Sequence, residues 1–284
     1  MITVDGLTFT YPGGDAPAVT DLAFEVADGE VFGFLGPSGA GKSTTQNILI
    51  GLLTGWQGQI DVLGKPLARW GRDYYSRIGV SFELPNHYLK LTARENLAYF
   101  AAMYDGATAT PEEVLALVGL GDDVDKRVSD FSKGMKNRLN LARSLLHRPS
   151  LWFLDEPTAG LDPVNAVNVR DLVKERQADG VTTMLTTHDM LIADALCDRV
   201  GFIVDGRLVE CDAPDALKRR YGTREIEVTW GAEAEPSRAR FPLDGIGQQP
   251  EFLRILREEA VLSVHTQETT LEDVFVQVTG RSLA

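Results

Sequence analysis

Gly36-Pro37-Ser38-Gly39-Ala40-Gly41-Lys42-Ser43-Thr44 lies between a compact apolar run, Glu30 to Leu35, and a segment of helical texture, Lys42 to Leu53. The helical segment carries Ile48, Leu49, Leu52 and Leu53 as its apolar positions. A strand, a glycine-rich turn and a helix in that order leave few architectures open. The loop satisfies G-x-x-x-x-G-K-[ST], and each residue type has a chemical reason. Backbone N–H groups wrap a phosphate only where side chains do not obstruct, hence the glycines. Lys42 brings a point charge to the β- and γ-phosphates, and the Ser43 hydroxyl can ligate Mg²⁺. The helix that follows aims its N-terminal dipole at the same anions. Nucleotide binding is the expectation.

A second constellation narrows the chemistry. Ser150-Leu151-Trp152-Phe153-Leu154-Asp155-Glu156-Pro157 reads as a buried strand ending in adjacent carboxylates. Beside a phosphate site such acids have separate tasks: Asp155 holds Mg²⁺, usually through water, and Glu156 polarises an attacking water.

Around these motifs the chain alternates in texture. Ile2 to Tyr11 and Ala18 to Val26 read as strands separated by Pro12-Gly13-Gly14-Asp15, and Gln59 to Leu63 and Arg77 to Phe82 as further strands. From about Leu84 to Arg148 the pattern is helical. Thr92-Ala93-Arg94-Glu95 is a capping box, and Pro111-Glu112-Glu113 opens another helix. Strands return at Ser150 to Leu154, Val181 to Thr187, Arg199 to Val204 and Arg207 to Cys211, the last two flanking the hairpin dipeptide Asp205-Gly206. The final sixty or so residues form an add-on, with strands at Glu225 to Trp230 and Val261 to Gln267 and helices at Glu251 to Glu259 and Thr270 to Val278. Gly231 to Gln249 reads as loop. An α/β core interrupted by a helical block is the expected plan.

Composition removes several function classes. The 284 residues carry a formal net charge of −13, which repels nucleic acid and anionic lipid unless a basic face is concentrated somewhere. Cys197 and Cys211 are too few for a disulfide framework and suit a reducing compartment. No run approaches 18 apolar residues and the N-terminus has no signal pattern, so a soluble intracellular chain is expected, meeting any membrane through a partner. Cys197, Cys211, His87, His147 and His265 lack ligand spacing, so no metal beyond nucleotide-bound Mg²⁺ is expected.

Taken with their neighbours, these motifs resemble the ATP-binding cassette family, the ATP-hydrolysing subunits of ABC transporters, from about Ile2 to Tyr221. Tyr11 stands where the family places an aromatic that stacks on adenine. Phe131-Ser132-Lys133-Gly134-Met135 stands at the signature motif, Ala159-Gly160-Leu161-Asp162-Pro163 at the loop crossing the dimer interface, and His188 at the switch histidine. The resemblance implies an α/β P-loop NTPase (RecA-like) core with an antiparallel β-subdomain and an inserted helical subdomain (about 84–148). These make up an ATP-binding domain of residues 1–221, with a small C-terminal α+β appendage, 222–284. It implies MgATP bound by Gly36 to Thr44 of one copy, with Ser132 and Gly134 of a second copy donating to the γ-phosphate. Glu156 is then the base, and His188 holds the γ-phosphate and the lytic water. The implied partners are a second copy and a membrane-spanning permease, at the inner face of the cell membrane.

Four features qualify the resemblance. The signature is usually Leu-Ser-Gly-Gly-Gln; Phe-Ser-Lys-Gly-Met keeps the serine and second glycine and looks like the branch serving drug, polyketide and lipid-linked exporters. The family expects a glutamine after the strand Arg77 to Phe82, and this chain has Glu83. A carboxylate can ligate Mg²⁺, but two like charges about 4 Å apart cost roughly 4 kcal/mol at an effective dielectric near 20. Glu83 therefore either joins the metal when the transporter partner positions its loop or swings into solvent. Leu84 to Leu91 matches the border of the groove that receives a helix of the membrane subunit, or else packs on the helical subdomain. The tail Leu271-Glu272-Asp273-Val274-Phe275 looks like the ending of the same exporter branch, and an amphipathic helix packed on the add-on sheet is expected there.

The leading expectation is an exporter ATPase subunit for drugs or other amphiphiles. A soluble ABC-type ATPase acting on nucleic acid or a macromolecular assembly is the competing one, disfavoured by the net charge and the single phosphate loop. A P-loop kinase or GTPase leaves Phe131 to Met135 and Ala159 to Pro163 unexplained and lacks Asn-Lys-x-Asp.

Overall fold

In a computed structural model that describes residues 1–222, 225–267 and 269–281, alternating burial runs along β1 (Ile2–Phe9) and β2 (Val19–Val26). The alternation slips by one residue where the β1–β2 register shifts between Val4 and Leu7. These strands join β4 (Gln57–Val62) and the short β5 (Lys65–Pro66) in an antiparallel sheet of order β2-β1-β4-β5. Its apolar face lies on the second sheet: Phe24 of β2 stacks on Phe32 of β3 (Val31–Leu35) and meets Phe34 at a tilt, with ring centroids 5.6 and 5.4 Å away.

The second sheet has order β10-β9-β3-β8-β7-β6 and contains β6 (Ile78–Ser81), β7 (Leu151–Asp155), β8 (Thr182–Thr187), β9 (Arg199–Val204) and β10 (Arg207–Asp212). All its pairs are parallel except β9–β10, which Asp205-Gly206 closes as a hairpin with both residues at positive φ. Both faces of the parallel strands are covered, so β3 is buried at every position and β7 at all but its last.

Helix α1 (Lys42–Leu49) follows β3 and is shorter than the sequence suggests. The Ile50 and Gly51 N–H groups turn back onto the Gln46 and Ile48 carbonyls and Gly51 takes φ 81°, so the helix stops. Ile48 and Leu49 are buried, whereas Leu52 is exposed. Gly41, just before α1, has φ 105°, and a Cβ there would sit 2.8 Å from the Ala18 carbonyl and the Val19 side chain. Gly41→Ala should therefore lower stability by about 2–4 kcal/mol, read as a shift of the urea midpoint at constant slope.

Between β6 and β7 lie α2 (Ala93–Ala101), α3 (Pro111–Leu117) and α4 (Lys133–Leu145). The Thr92/Glu95 capping box forms, and a second one forms at Thr110/Glu113. Trp152 Nε1–H donates to Ser144 Oγ at 2.8 Å and pins α4 to β7. Helices α5 (Pro163–Ala178) and α6 (Met190–Leu196) connect β7 to β8 and β8 to β9.

The chain divides into two compact units, Met1–Ala213 and a second beginning at Pro214. The second unit contains α7 (Pro214–Tyr221), β11 (Glu225–Ala232), β12 (Glu235–Pro242), α8 (Pro250–Glu258), β13 (Val261–Gln267) and α9 (Leu271–Thr279). Its antiparallel sheet has order β12-β11-β13. Two expectations are corrected here. The stretch read as loop contains β12, an edge strand in which Phe241 alone is buried; Pro236 and Pro242 are tolerated because an edge leaves N–H positions unpaired. The helix on the sheet is α8, whose Phe252 and Ile255 join Ile226, Val228 and Phe241 in a core. Helix α9 instead lies against α7. The spacing of Phe252 and Ile255 puts both on one side of a helix, which seats α8 on the sheet.

Candidate functional site

Parallel pairing decides what meets what. Leu35 at the end of β3 is in register with Thr187 of β8, and Asp155 at the end of β7 with Thr186. The carboxyl ends of three strands thus deliver the Gly36–Gly41 loop, Asp155-Glu156 and Thr187-His188 to one edge of the sheet, where α/β proteins bind ligands. Ser38, Gly39, Gly41, Lys42, Ser43, Thr44, Glu83, Asp155 and Glu156 line an open cleft there of about 310 Å³.

Lys42 is only 8% exposed, and its ammonium donates to the carbonyls of Gly36 at 2.6 Å and Pro37 at 3.1 Å. Burial holds it below the usual lysine range, while the carboxylates of Glu156, Asp155 and Glu83 favour its charged form. The N–H groups of the first turn of α1 have no partners within the helix and are available to an anion. Gly36, Pro37 and Ala40 lie behind this surface as its support: a Cβ on Gly36 would fall 2.2 Å from the Ile203 carbonyl, and Ala40 N–H donates to Pro37 O.

Asp155 accepts a hydrogen bond from Thr186 Oγ1. Burial raises its pKa, helped by Glu156 and Glu83, against the Thr186 bond and Lys42. Glu156, at φ 46°, is held from three directions. Thr187 Oγ1 donates to Oε2 at 2.9 Å, and the His188 backbone N–H and Nδ1–H donate to Oε1 at 3.1 and 2.7 Å. A strained backbone kept in place by a ring of donors is characteristic of functional positions. The Glu156 side chain is 12% exposed, whereas the His188 ring stands open to solvent.

Tyr11 is at the rim, its hydroxyl hydrogen-bonded to Thr44 Oγ1 at 3.1 Å and its ring edge-on to Phe9. Ser132, Gly134 and Asp162 do not line the cleft and gather in a patch of their own. Ser132 caps α4 by accepting from Met135 N–H, and Gly134 faces Leu161. Asn137 Nδ2–H donates to Ala159 O, and Asp162 caps α5 by accepting from Asn165 N–H. Those bonds to Asn165 hold the Asp162 carboxyl below the usual range. Sequence reasoning assigned no role to Thr186 and Thr187; their only signal is their place beside His188 at a strand end.

Beyond Glu83, His87 donates through Nε2–H to Lys136 O at 2.9 Å, and burial pulls its pKa down to about 4. The unfolded imidazole titrates near 6.5, so between these values the unfolded chain holds the extra proton. The stabilising effect is whole above pH 6.5 and is lost as pH falls toward 4. Relative to His87→Gln, the wild type should lose about 1–2 kcal/mol of stability between pH 7.5 and 5, measured by urea unfolding at both pH values.

This arrangement defines a P-loop NTPase core. The sequence model of the ABC transporter family matches residues 19–159, spanning the phosphate loop, Glu83, Ser132, Gly134, Asp155 and Glu156 but not Tyr11, Asp162 or His188. That of the fluoroquinolone efflux ABC transporter C-terminal domain matches residues 224–268. The chain is 54% identical, over 284 residues covering 100% of it and 94% of the relative, to the fluoroquinolones export ATP-binding protein of Mycobacterium tuberculosis (strain CDC 1551 / Oshkosh). It is 38% identical to Nod factor export ATP-binding protein I of Rhizobium meliloti (strain 1021), over 99% of this chain and 89% of that one. A solved ATP-binding subunit of an ABC transporter superposes with a TM-score of 0.70 at 29% identity, over 78% of this chain and 93% of that one. A dimeric post-hydrolysis ATP-binding cassette bound to ADP and Pi gives 0.68 at 26% identity, over 75% and 98%. The chain belongs to the ATP-binding subunits of ABC transporters and is an ATP hydrolase. These similarities support the transporter reading over an ATPase working on nucleic acid. Among the described residues no helix is long and apolar enough to cross a membrane.

Proposed function

We propose that this chain powers export of drugs or other amphiphilic compounds, two copies working beneath a separate membrane-spanning permease at the cytoplasmic face of the cell membrane. The observation that carries the reading is 54% identity to a fluoroquinolone export ATP-binding protein along the whole chain, appendage included. The exposed ridge beyond Glu83, with Leu84 78% exposed and Tyr88, Leu89 and Tyr99 open beside it, supports a docking place for the permease.

The residues fit a magnesium nucleotide. Ser43, Asp155 and Glu83 offer hard oxygen donors around a phosphate-sized cleft, the set Mg²⁺ prefers. Bound there, Mg²⁺ would neutralise charge developing on the β- and γ-phosphates. Lys42 exchanges the loop carbonyls for phosphate oxygens, and the ring of Tyr11 offers adenine a stacking face. Glu156 takes the proton of the attacking water, oriented by Thr187 and His188. While Nδ1–H of His188 is bonded to Glu156, a neutral ring has a bare Nε2. Gripping the γ-phosphate through Nε2 therefore needs a hydrogen on that nitrogen. Ser132, Gly134 and Asp162 lie outside the cleft of their own chain, which suits service to the nucleotide of a second copy.

Co-expression with a candidate membrane-spanning permease, and measurement of fluoroquinolone retention in cells, tests the proposal. Retention should fall several-fold with the wild type and not with Glu156→Gln. Equal retention with both, or purification with RNA and no membrane protein, contradicts it.

A further inference from the structure

The segment entering and leaving Glu83 is tied to the signature helix α4 at three points. Asn140, 1% exposed, donates through Nδ2–H to the Phe82 carbonyl at 2.8 Å and to Ser81 Oγ at 3.1 Å. Arg143 donates through Nη2–H to Asn140 Oδ1 at 2.5 Å and through Nη1–H to the Asn86 carbonyl at 2.8 Å. Its guanidinium lies over the Phe100 ring, 4.7 Å from the centroid, which fixes the fork. One turn earlier, the Lys136 carbonyl accepts from His87. Glu83 itself has no such anchor: it is exposed and reaches the cleft closely enough to act on the charges of Lys42 and Asp155. Its place is therefore set by the peptide unit before it, and that carbonyl is held by Asn140.

We infer that Asn140, braced by Arg143, is a positioning residue that presents Glu83 to the metal side of the phosphate cleft and links it through α4 to Ser132. A buried amide with donors and acceptor all used rigidifies what it joins. Ser132 caps the same helix, so a displacement of Glu83 is passed to the patch that would face a second copy. Asn140 touches neither nucleotide nor metal in this account and acts only through Glu83.

The inference rests on reading the cleft as a MgATP site. Calorimetric titration of ATP, with and without Mg²⁺, tests both separately on the full chain and on Asn140→Asp, Glu83→Ala and the double variant. Asn140→Asp keeps the size and the bond from Arg143 but turns a carboxylate oxygen toward the Phe82 carbonyl. The Mg²⁺ concentration for half-maximal enhancement of ATP binding should rise about tenfold in each single variant and no further in the double one, because both break one path. ATP affinity in EDTA should stay within about twofold in Asn140→Asp. A purely structural role for Asn140 would weaken binding equally in both conditions and overturns the inference. So does an unchanged Mg²⁺ response in Asn140→Asp or Glu83→Ala, or additive shifts in the double variant. Should Asn140→Asp fail to fold by circular dichroism, Arg143→Lys, which loses the fork, is expected to show a several-fold shift, and no shift overturns the inference. Failure of the wild type to bind ATP with Mg²⁺ contradicts the reading of the cleft instead.

Discussion

Glu156→Gln should lower the rate of ATP hydrolysis by about 10²–10⁴-fold, the range a positioned general base contributes, while ATP affinity stays within about twofold. The amide keeps the size and one oxygen, so Thr187 or His188 still finds an acceptor, but it cannot take a proton from water. The three donors around the carboxylate fix its position at a backbone φ of 46°. Phosphate release and titration of a fluorescent ATP analogue separate the two quantities. A loss under tenfold would assign the base elsewhere.

Lys42→Ala acts on binding. Lys42 is the cation whose charge is supported by Glu156, Asp155 and Glu83, and without it the cleft loses its side-chain cation facing the phosphates. At about 4 Å and an effective dielectric near 20, one charge pair is worth roughly 4 kcal/mol, so ATP affinity should fall about 10²–10³-fold. Stability should change little, because removing a buried charge also removes its desolvation cost. Calorimetry for affinity and urea unfolding for stability check both halves. An affinity within fivefold of wild type contradicts the assigned role.

What was legible in the sequence was local. The phosphate loop, the capping box at Thr92 and the Asp205-Gly206 hairpin each carry their geometry in neighbouring residues, and all form where the residue types require them. Strand β12 escaped because an edge strand with one buried side chain shows no apolar alternation. The length of α1 was overread because Leu52 and Leu53 continue a helical period that Gly51 has already ended. Helix α9 was assigned to the sheet on amphipathicity alone, which says that a face is buried but not against what.

The site divides the same way. Lys42, Asp155 and Glu156 stand out because their types are dictated by phosphate and metal chemistry. Thr186 and Thr187 become partners of Asp155 and Glu156 only through the parallel pairing of β7 with β8, 31 residues apart in the chain. Asn140 is 58 residues from the carbonyl it holds and looks like any polar residue of an amphipathic helix. The separation of Ser132 and Gly134 from the cleft of their own chain was, by contrast, expected from the family resemblance, though not from the residues themselves.

That separation makes a composite site the centre of this account, with nucleotide bound between two copies. Sedimentation equilibrium of Glu156→Gln, with and without MgATP, measures it directly. A doubling of mass on addition of MgATP, reversed by EDTA, is the predicted result. A particle that stays at the mass of one chain, with the permease supplied or withheld, would contradict it.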